Sequence, residues 1–132
     1  MVTQSVATPA KPDLMAQRES VMLPLSKLVA GLVAITGKKI TAYIGKAKDV
    51  RTVDRWLEGT EPYKGVESKL RTAYHVVKLL SDHESPRVVQ SWLIGLNPLL
   101  EDWSPARLLR EKDVEISGPE VLRAARAFLA GG

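Results

Sequence analysis

Stretches of apolar residues at helical spacing alternate along this chain with isolated glycines and Ser-Pro pairs. The first stripe runs through residues 25–33, and Gly37 is placed to close it as a C-terminal cap. The run 40–44 contains strand-favouring residues, but it is short and lies between helical stretches, which favours a helix there. The Ser-Pro pairs at 85–86 and 104–105 put a capping hydroxyl before a proline at the first helical position. The pattern predicts an all-α fold.

The chain divides into three predicted segments. Residues 1–19 are polar, contain prolines and show no period, which indicates a disordered arm. Residues 20–83 are predicted to form a helix-turn-helix domain, and residues 84–132 a smaller helical module for a partner or for dimerisation. The capping-box pattern at Ser117 predicts the start of the last helix, after a segment, 113–116, that could be extended.

Composition limits the compartment and the class of protein. Hydrophobic residues make up 45% of the chain, enough for a packed core, and the sequence contains no cysteine, so disulfides and thiolate metal sites are excluded. No apolar run approaches the roughly 18 residues of a membrane span, and no signal peptide is recognisable at the N-terminus. We therefore expect a soluble cytoplasmic protein with no membrane contact.

The positive charge is concentrated in the first part of the chain. Residues 1–75 contain 12 Lys and Arg against 7 Asp and Glu, whereas residues 76–132 contain 7 against 8. This distribution favours one surface for phosphates and another for a different partner. The alternative is an ordinary solvated surface on which charge is unevenly spread.

Residues 39–58 have the parts of a helix-turn-helix. Ala42 supplies the small side chain that two short crossing helices need, and Gly45 is expected to supply a positive φ in the turn. The inner face of the second helix is expected to be anchored by Val53 together with Trp56 or Leu57. The spacing from Ala42 to Val53 is one residue longer than usual, so the turn is predicted to be extended.

The outer face of the second helix would then enter the major groove of DNA. Its predicted residues are Val50, Arg51, Asp54 and Arg55. Arg51 and Arg55 are four residues apart and could each bind guanine bidentately or hold a phosphate. The residues predicted to make backbone contacts beside this helix are Lys46, Lys48, Thr52 and Lys64. The alternative is a plain helical hairpin with a solvated arginine face.

The C-terminal part carries a family resemblance. The run SWLIGLNPLLEDWSPARLLREKD resembles the toxin-binding region of the Xre/MbcA/ParS antitoxins through Trp92, Asn97-Pro98, Leu100, Pro105 and Leu108-Leu109. Arg55-Trp56 and Gly59, followed by a long helix, are similar to the N-terminal half of that family. The resemblance covers about residues 25–130.

The resemblance implies a type II antitoxin that occludes a RES-domain toxin, an enzyme that consumes NAD, and represses its own operon. The toxin-facing residues it implies are Arg123, Arg126, Phe128, Leu129, Gly131 and Gly132. Trp103 is a further candidate anchor because it lies close to the Asn97-Pro98 turn. Packing against the following helix is the alternative role for Trp103, and Trp92 is expected in the core.

No pattern of catalytic or metal-binding residues stands out. His75 and His83 lie on one predicted helix without further ligands nearby, so surface and helix-end roles are expected for them. No phosphate-binding glycine motif or nucleophile elbow occurs. We expect no enzyme activity, no metal and no cofactor.

Two other functions remain open at this point. The chain could be a stand-alone, phage-type transcriptional repressor whose C-terminal module serves dimerisation or additional DNA contacts. It could also be an adaptor that has lost DNA binding. In the DNA-binding cases a homodimer or higher oligomer is expected, because a single recognition helix buries little surface.

Overall fold

A computed structural model describes residues 12–131, with only the backbone of Pro12. These residues form seven α-helices and one 3₁₀ helix, without a strand, which confirms the predicted all-α class. In chain order the elements are α1 (Pro12–Met22), α2 (Leu25–Ile44), α3 (Val50–Leu57), α4 (Val66–Ser81), α5 (Pro86–Ile94), the 3₁₀ helix (Pro98–Leu100), α6 (Pro105–Glu111) and α7 (Val114–Leu129).

Helix α2 consists of two pieces joined at Gly37. This residue has φ 85° and ψ 165°, a backbone conformation that essentially only glycine adopts, so the predicted helix end is confirmed. We call residues 25–36 α2a and residues 38–44 α2b. The Thr41 hydroxyl donates to the Gly37 carbonyl at 2.8 Å and lies 3.1 Å from the Thr36 hydroxyl. These bonds satisfy polar groups that the break would otherwise leave unpaired in the interior.

Helix α4 lies at the centre of the molecule, where it packs against α1, α2 and α7. Its Leu70 and Val76 are fully buried. The same continuous core includes Val89 of α5, Leu109 of α6 and Val121 of α7. The hydrophobic core therefore extends across the predicted boundary at residues 83 and 84, and the C-terminal helices share it with the N-terminal ones.

The two Ser-Pro helix starts are as predicted. The Ser85 hydroxyl accepts from the Val88 backbone N–H at 3.3 Å, and the Ser104 hydroxyl accepts from the Arg107 N–H at 3.1 Å. Between these helices, the Asn97 side chain accepts from the Leu99 N–H at 2.9 Å. In each bond the donor and the acceptor are at most three residues apart in sequence, so the local sequence was enough to predict it.

Residues 12–22 differ from the predicted arm, because they form helix α1. The Asp13 carboxylate accepts from Arg126 Nε at 2.6 Å and is 2.8 Å from His75 Nε2. The Tyr74 hydroxyl donates to Glu19 at 2.9 Å. The helix has no apolar stripe, and these distant polar partners hold it in place, so periodicity could not reveal it. The remainder of the predicted arm, residues 1–11, lies outside the described residues.

His75 also departs from its predicted place on a helix surface. It is buried, with 8% of its surface exposed, because α1 covers this side of α4. Its bond to Asp13 supplies the partner that a buried imidazole needs.

The last helix begins earlier than the capping-box pattern predicted. Asp113 is the N-cap and accepts from the Glu115 N–H at 3.0 Å, so residues 114–116 are helical rather than extended. Ser117 lies inside α7, fully buried, and its hydroxyl has no hydrogen-bond partner among the described residues. A Cβ on the neighbouring Gly118 would lie 3.2 Å from Thr72 of α4. Close packing against α4 thus sets the position of this turn.

The Asp13 carboxylate provides a test of how α1 is held. Its bond to Arg126, more than its bond to His75, lowers the pKa of Asp13 below 3.8. Because the folded-state pKa is lowered, the stabilisation is present above about pH 4 and is lost as the pH falls through that lowered value. The side chain is 34% exposed, so solvent screening limits the effect. We expect Asp13→Asn to lower the free energy of unfolding by about 1 kcal/mol at pH 7.

Urea denaturation at pH 7 and at about pH 2 measures this difference, with the exposed acid Glu120→Gln as control. The wild type should lose more stability on acidification than Asp13→Asn does. Identical pH dependence in the two proteins would contradict the assigned role of Asp13.

Candidate nucleic-acid interface

Helices α2b and α3 are joined by the five residues 45–49, an extended turn. The Ala47 N–H donates to the Ala42 carbonyl at 2.9 Å and closes the end of α2b. Asp49 is the N-cap of α3, and its carboxylate accepts from the Arg51 N–H at 2.9 Å. The residues 40–44 are helical, as expected.

Gly45 is required for a reason other than the one predicted. Its φ is −82°, so it does not supply the positive φ of the turn, which Lys46 adopts instead at 58°. A Cβ at Gly45 would lie 2.6 Å from Cη2 of Trp56 and 3.3 Å from Cδ2 of Leu70. The absence of a side chain lets the indole ring pack directly against the turn backbone.

The predicted anchors of α3 are buried. Val53 is fully buried and Trp56 is 4% exposed, while Leu57 is only half-buried, so Trp56 is the second anchor. Ala42, the predicted small residue of the first helix, is 6% exposed. Because Val53 and Trp56 both face inward, the orientation of α3 about its own axis is fixed.

The opposite face of α3 is turned to solvent. Arg51 is 80% exposed, Arg55 is exposed, and Val50 and Asp54 are half-buried. The Arg51 guanidinium lies 3.0 Å from the Asp49 carboxylate, and this hydrogen bond lowers the pKa of Asp49. Of the four residues predicted for the outer face, Arg51 and Arg55 are the exposed ones.

A second ion pair removes a charge that would repel phosphate. Asp54 Oδ1 lies 2.6 Å from Nζ of Lys38, a residue that sequence reasoning did not include. Lys38 directly follows the break at Gly37. It is 16 residues from Asp54 in sequence, and the packing of α2b beside α3 brings the two side chains together. Within residues 12–131 no acidic group forms an ion pair with Arg55.

The predicted flanking residues surround α3. Lys46, Lys48 and Lys64 are exposed, and Thr52 is half-buried. A cleft of about 650 Å³ between the 45–48 turn and the 60–63 loop brings Lys46, Lys48, Thr52 and Arg55 together. Lys64 is outside its lining. The arrangement combines the exposed arginines of α3 with further cations in the segments before and after it, which suits a polyanion.

The residues predicted to face a toxin lie mainly on α7. Arg123 is exposed, and Arg126 shares its side of the helix but is bonded to Asp13. Phe128 is 37% exposed and its ring centroid lies 6.3 Å from that of Trp92. Leu129 is half-buried against the core.

Three further residues were predicted to face a partner: Trp103, Gly131 and Gly132. Gly131 follows α7 with φ 90°, and Gly132 lies outside the described residues. Trp103 precedes α6 and is half-buried, with the Arg107 guanidinium 4.2 Å and the Lys112 ammonium 5.1 Å from its ring centroid. Cation–π contacts within the chain therefore occupy part of the Trp103 surface.

Comparison with family models, with curated proteins and with solved structures found no match. No helix among residues 12–131 is long and apolar enough to cross a bilayer. Within the same residues, no group of three or more His, Asp or Glu side chains could hold a metal ion.

The contact between Gly45 and Trp56 yields a stability prediction. Gly45→Ala places a Cβ 2.6 Å from Cη2 of the indole ring and is expected to cost about 1–3 kcal/mol through overpacking. Trp56→Phe removes the ring atoms that would clash. The double variant should therefore be less destabilised than the sum of the single variants, by about 1 kcal/mol.

Urea denaturation of the four proteins gives this coupling energy. Gly37→Ala is the control. A Cβ at Gly37 would meet no atom within 4 Å, so the loss of stability in this variant arises only from the φ of 85°. Its effect should add to that of Trp56→Phe without coupling. Additive behaviour of Gly45→Ala would contradict the proposed contact.

Proposed function

We propose that this chain is a DNA-binding type II antitoxin that reads an operator with α3 and occludes a RES-type toxin with its C-terminal surface. The observation that carries the DNA-binding part is the outward face of α3, with Arg51 and Arg55 exposed four residues apart on a helix whose inner side is anchored. A helix of this kind fits the major groove, which is about 12 Å wide.

The arginines are suited to base recognition. A guanidinium presents its donors in a planar fork that matches O6 and N7 of guanine. Asp49 holds the guanidinium of Arg51 at 3.0 Å, which restricts its rotamers before DNA arrives. Arg55 has no such restraint and can turn toward either a base edge or a phosphate.

The lysines beside α3 supply sequence-independent affinity. Lys46, Lys48 and Lys64 are exposed on the turn and loop that flank the helix. Each phosphate they neutralise would release counterions, so binding would weaken as salt is raised. A two-fold dimer that places two copies of α3 in successive major grooves would double the contact area.

The toxin-binding part of the proposal is supported by the family resemblance and by the exposed side of α7. Arg123 lies there without an ion pair among the described residues, available to an acidic group of a partner. Helix α7 also contributes Val121, Ala124 and Ala125 to the core. Removing the C-terminal residues would therefore disturb the fold, and single surface substitutions are the appropriate test.

The DNA-binding proposal is tested with Arg51→Ala combined with Arg55→Ala. Fluorescence anisotropy with a labelled 30-base-pair duplex from the region upstream of the gene would measure affinity. Losing both guanidinium groups is expected to weaken binding roughly 100-fold or more. Arg18→Ala with Arg87→Ala removes the same charge from exposed sites on α1 and α5 and should change the affinity by a few-fold at most. Equal losses in the two double variants would refute a specific role for α3.

The antitoxin proposal is tested by co-expression with the product of the neighbouring gene in a growth assay. Wild-type protein should restore growth, and Arg123→Glu should fail to do so while binding the duplex normally. Arg87→Glu makes the same charge change on α5 and should still neutralise the toxin. If Arg123→Glu still neutralises the toxin, the toxin does not bind at Arg123. If the product of the neighbouring gene does not inhibit growth, the antitoxin function is wrong and only the repressor function is left.

A further inference from the structure

We infer that the cleft between the 45–48 turn and the 60–63 loop is a second DNA-contacting site, in which the backbone of one strand crosses the ring of Tyr63. This inference rests on the proposed function and extends it to a residue that the sequence patterns did not single out. Phosphates would lie beside Lys46, Lys48 and Arg55, and the ring would pack against the adjoining deoxyribose.

The cleft has the size and composition of a binding site. Its volume is about 650 Å³, and its lining includes Gly45, Ala47 and Trp56 along with the three cations. The Trp56 ring is 4% exposed, so it gives the cleft a fixed apolar floor. Arg55 belongs both to the lining and to the exposed face of α3. A duplex seated on α3 would therefore have one strand at the mouth of the cleft.

Tyr63 is presented to solvent by a loop whose ends are held. The Thr60 N–H donates to the Arg55 carbonyl at 2.9 Å, and the Val66 N–H donates to the Tyr63 carbonyl at 3.0 Å. Gly59 and Gly65 adopt φ of 106° and 86°, which lets the chain leave α3 and enter α4 sharply. The Tyr63 side chain is 90% exposed. The backbone is fixed while the ring makes little contact with the protein, an arrangement suited to stacking on a ligand.

The charges of the cleft favour an anion. Lys46, Lys48 and Arg55 line it together with a single carboxylate, that of Glu61. Lys46 has φ 58°, a left-handed conformation that is uncommon for lysine. Such conformations persist where the surroundings fix them and often occur at binding sites.

A DNA strand suits this site better than a free nucleotide does. The cations come from two separate segments, Lys46 and Lys48 from the turn and Arg55 from α3, an arrangement that suits successive phosphates of a strand. Packing of a ring against a deoxyribose does not depend on the base, so Tyr63 would raise affinity with little base preference.

The first test is binding of the upstream 30-base-pair duplex by Tyr63 variants. Tyr63→Ala should weaken binding about tenfold without changing the slope of log affinity against log salt, because no charge is lost. Tyr63→Phe keeps the ring and should bind within about twofold of wild type. Lys48→Ala should instead lower the magnitude of the salt slope by about one. Wild-type affinity in Tyr63→Ala would overturn the inference.

The second test locates the DNA directly. Tyr63 is 90% exposed and should be nitrated by tetranitromethane much faster than Tyr43, which is 39% exposed, or Tyr74, at 6%. The duplex should protect Tyr63 and leave the nitration of Tyr43 unchanged. Unchanged nitration of Tyr63 under saturating duplex would place the strand elsewhere. Equal protection by millimolar dAMP would assign the cleft to a mononucleotide and overturn the DNA assignment.

The outcomes separate this inference from the proposed function. If Arg51→Ala, at a residue outside the cleft lining, loses binding but Tyr63→Ala does not, α3 reads DNA and Tyr63 is not a contact. If wild-type protein binds no duplex even at about 50 mM salt, both the proposed function and this inference are wrong.

Discussion

The contact between the Trp56 ring and the backbone of Gly45 is the constraint on which the rest of the candidate interface depends. A Cβ at position 45 would lie within 3.3 Å of Trp56 and of Leu70, so α2b, α3 and α4 meet at this point. The contact fixes both the separation of α3 from α2b and its rotation about its own axis. The exposed arginine face and the floor of the neighbouring cleft follow from that one packing arrangement.

Ion pairs then decide which charges remain available on the surface. Asp54 is bound by Lys38 and Asp49 by Arg51, so two of the acids around α3 are already partnered. On the other side of the molecule, Asp13 binds Arg126 and thereby ties α1 to α7. A partner that engaged Arg126 would compete with Asp13, so partner binding at α7 would be coupled to the docking of α1.

Much of the candidate interface could be predicted from the sequence. The exposed pair Arg51 and Arg55 and the buried Val53 follow from helical periodicity, which converts sequence spacing into a common face. The pairing of Lys38 with Asp54 could not be predicted, because it depends on how α2b leaves the break at Gly37. No local pattern indicated that Tyr63 borders a cleft, because the walls of the cleft come from the 45–48 turn, α3 and the 60–63 loop, which only folding brings together.

For the fold, the sequence by itself determined the helical class and the helix starts whose caps are local, such as those at Ser85 and Ser104, because each depends on a bond to a residue three positions away. The start of α7 at Val114 also has a local cap, at Asp113, which the capping-box pattern at Ser117 obscured. Only the tertiary structure decided that residues 12–22 form a helix. That segment carries a weak local signal, and its conformation is set by contacts with α4 and α7 far away in sequence, where distant polar partners outweigh local propensity.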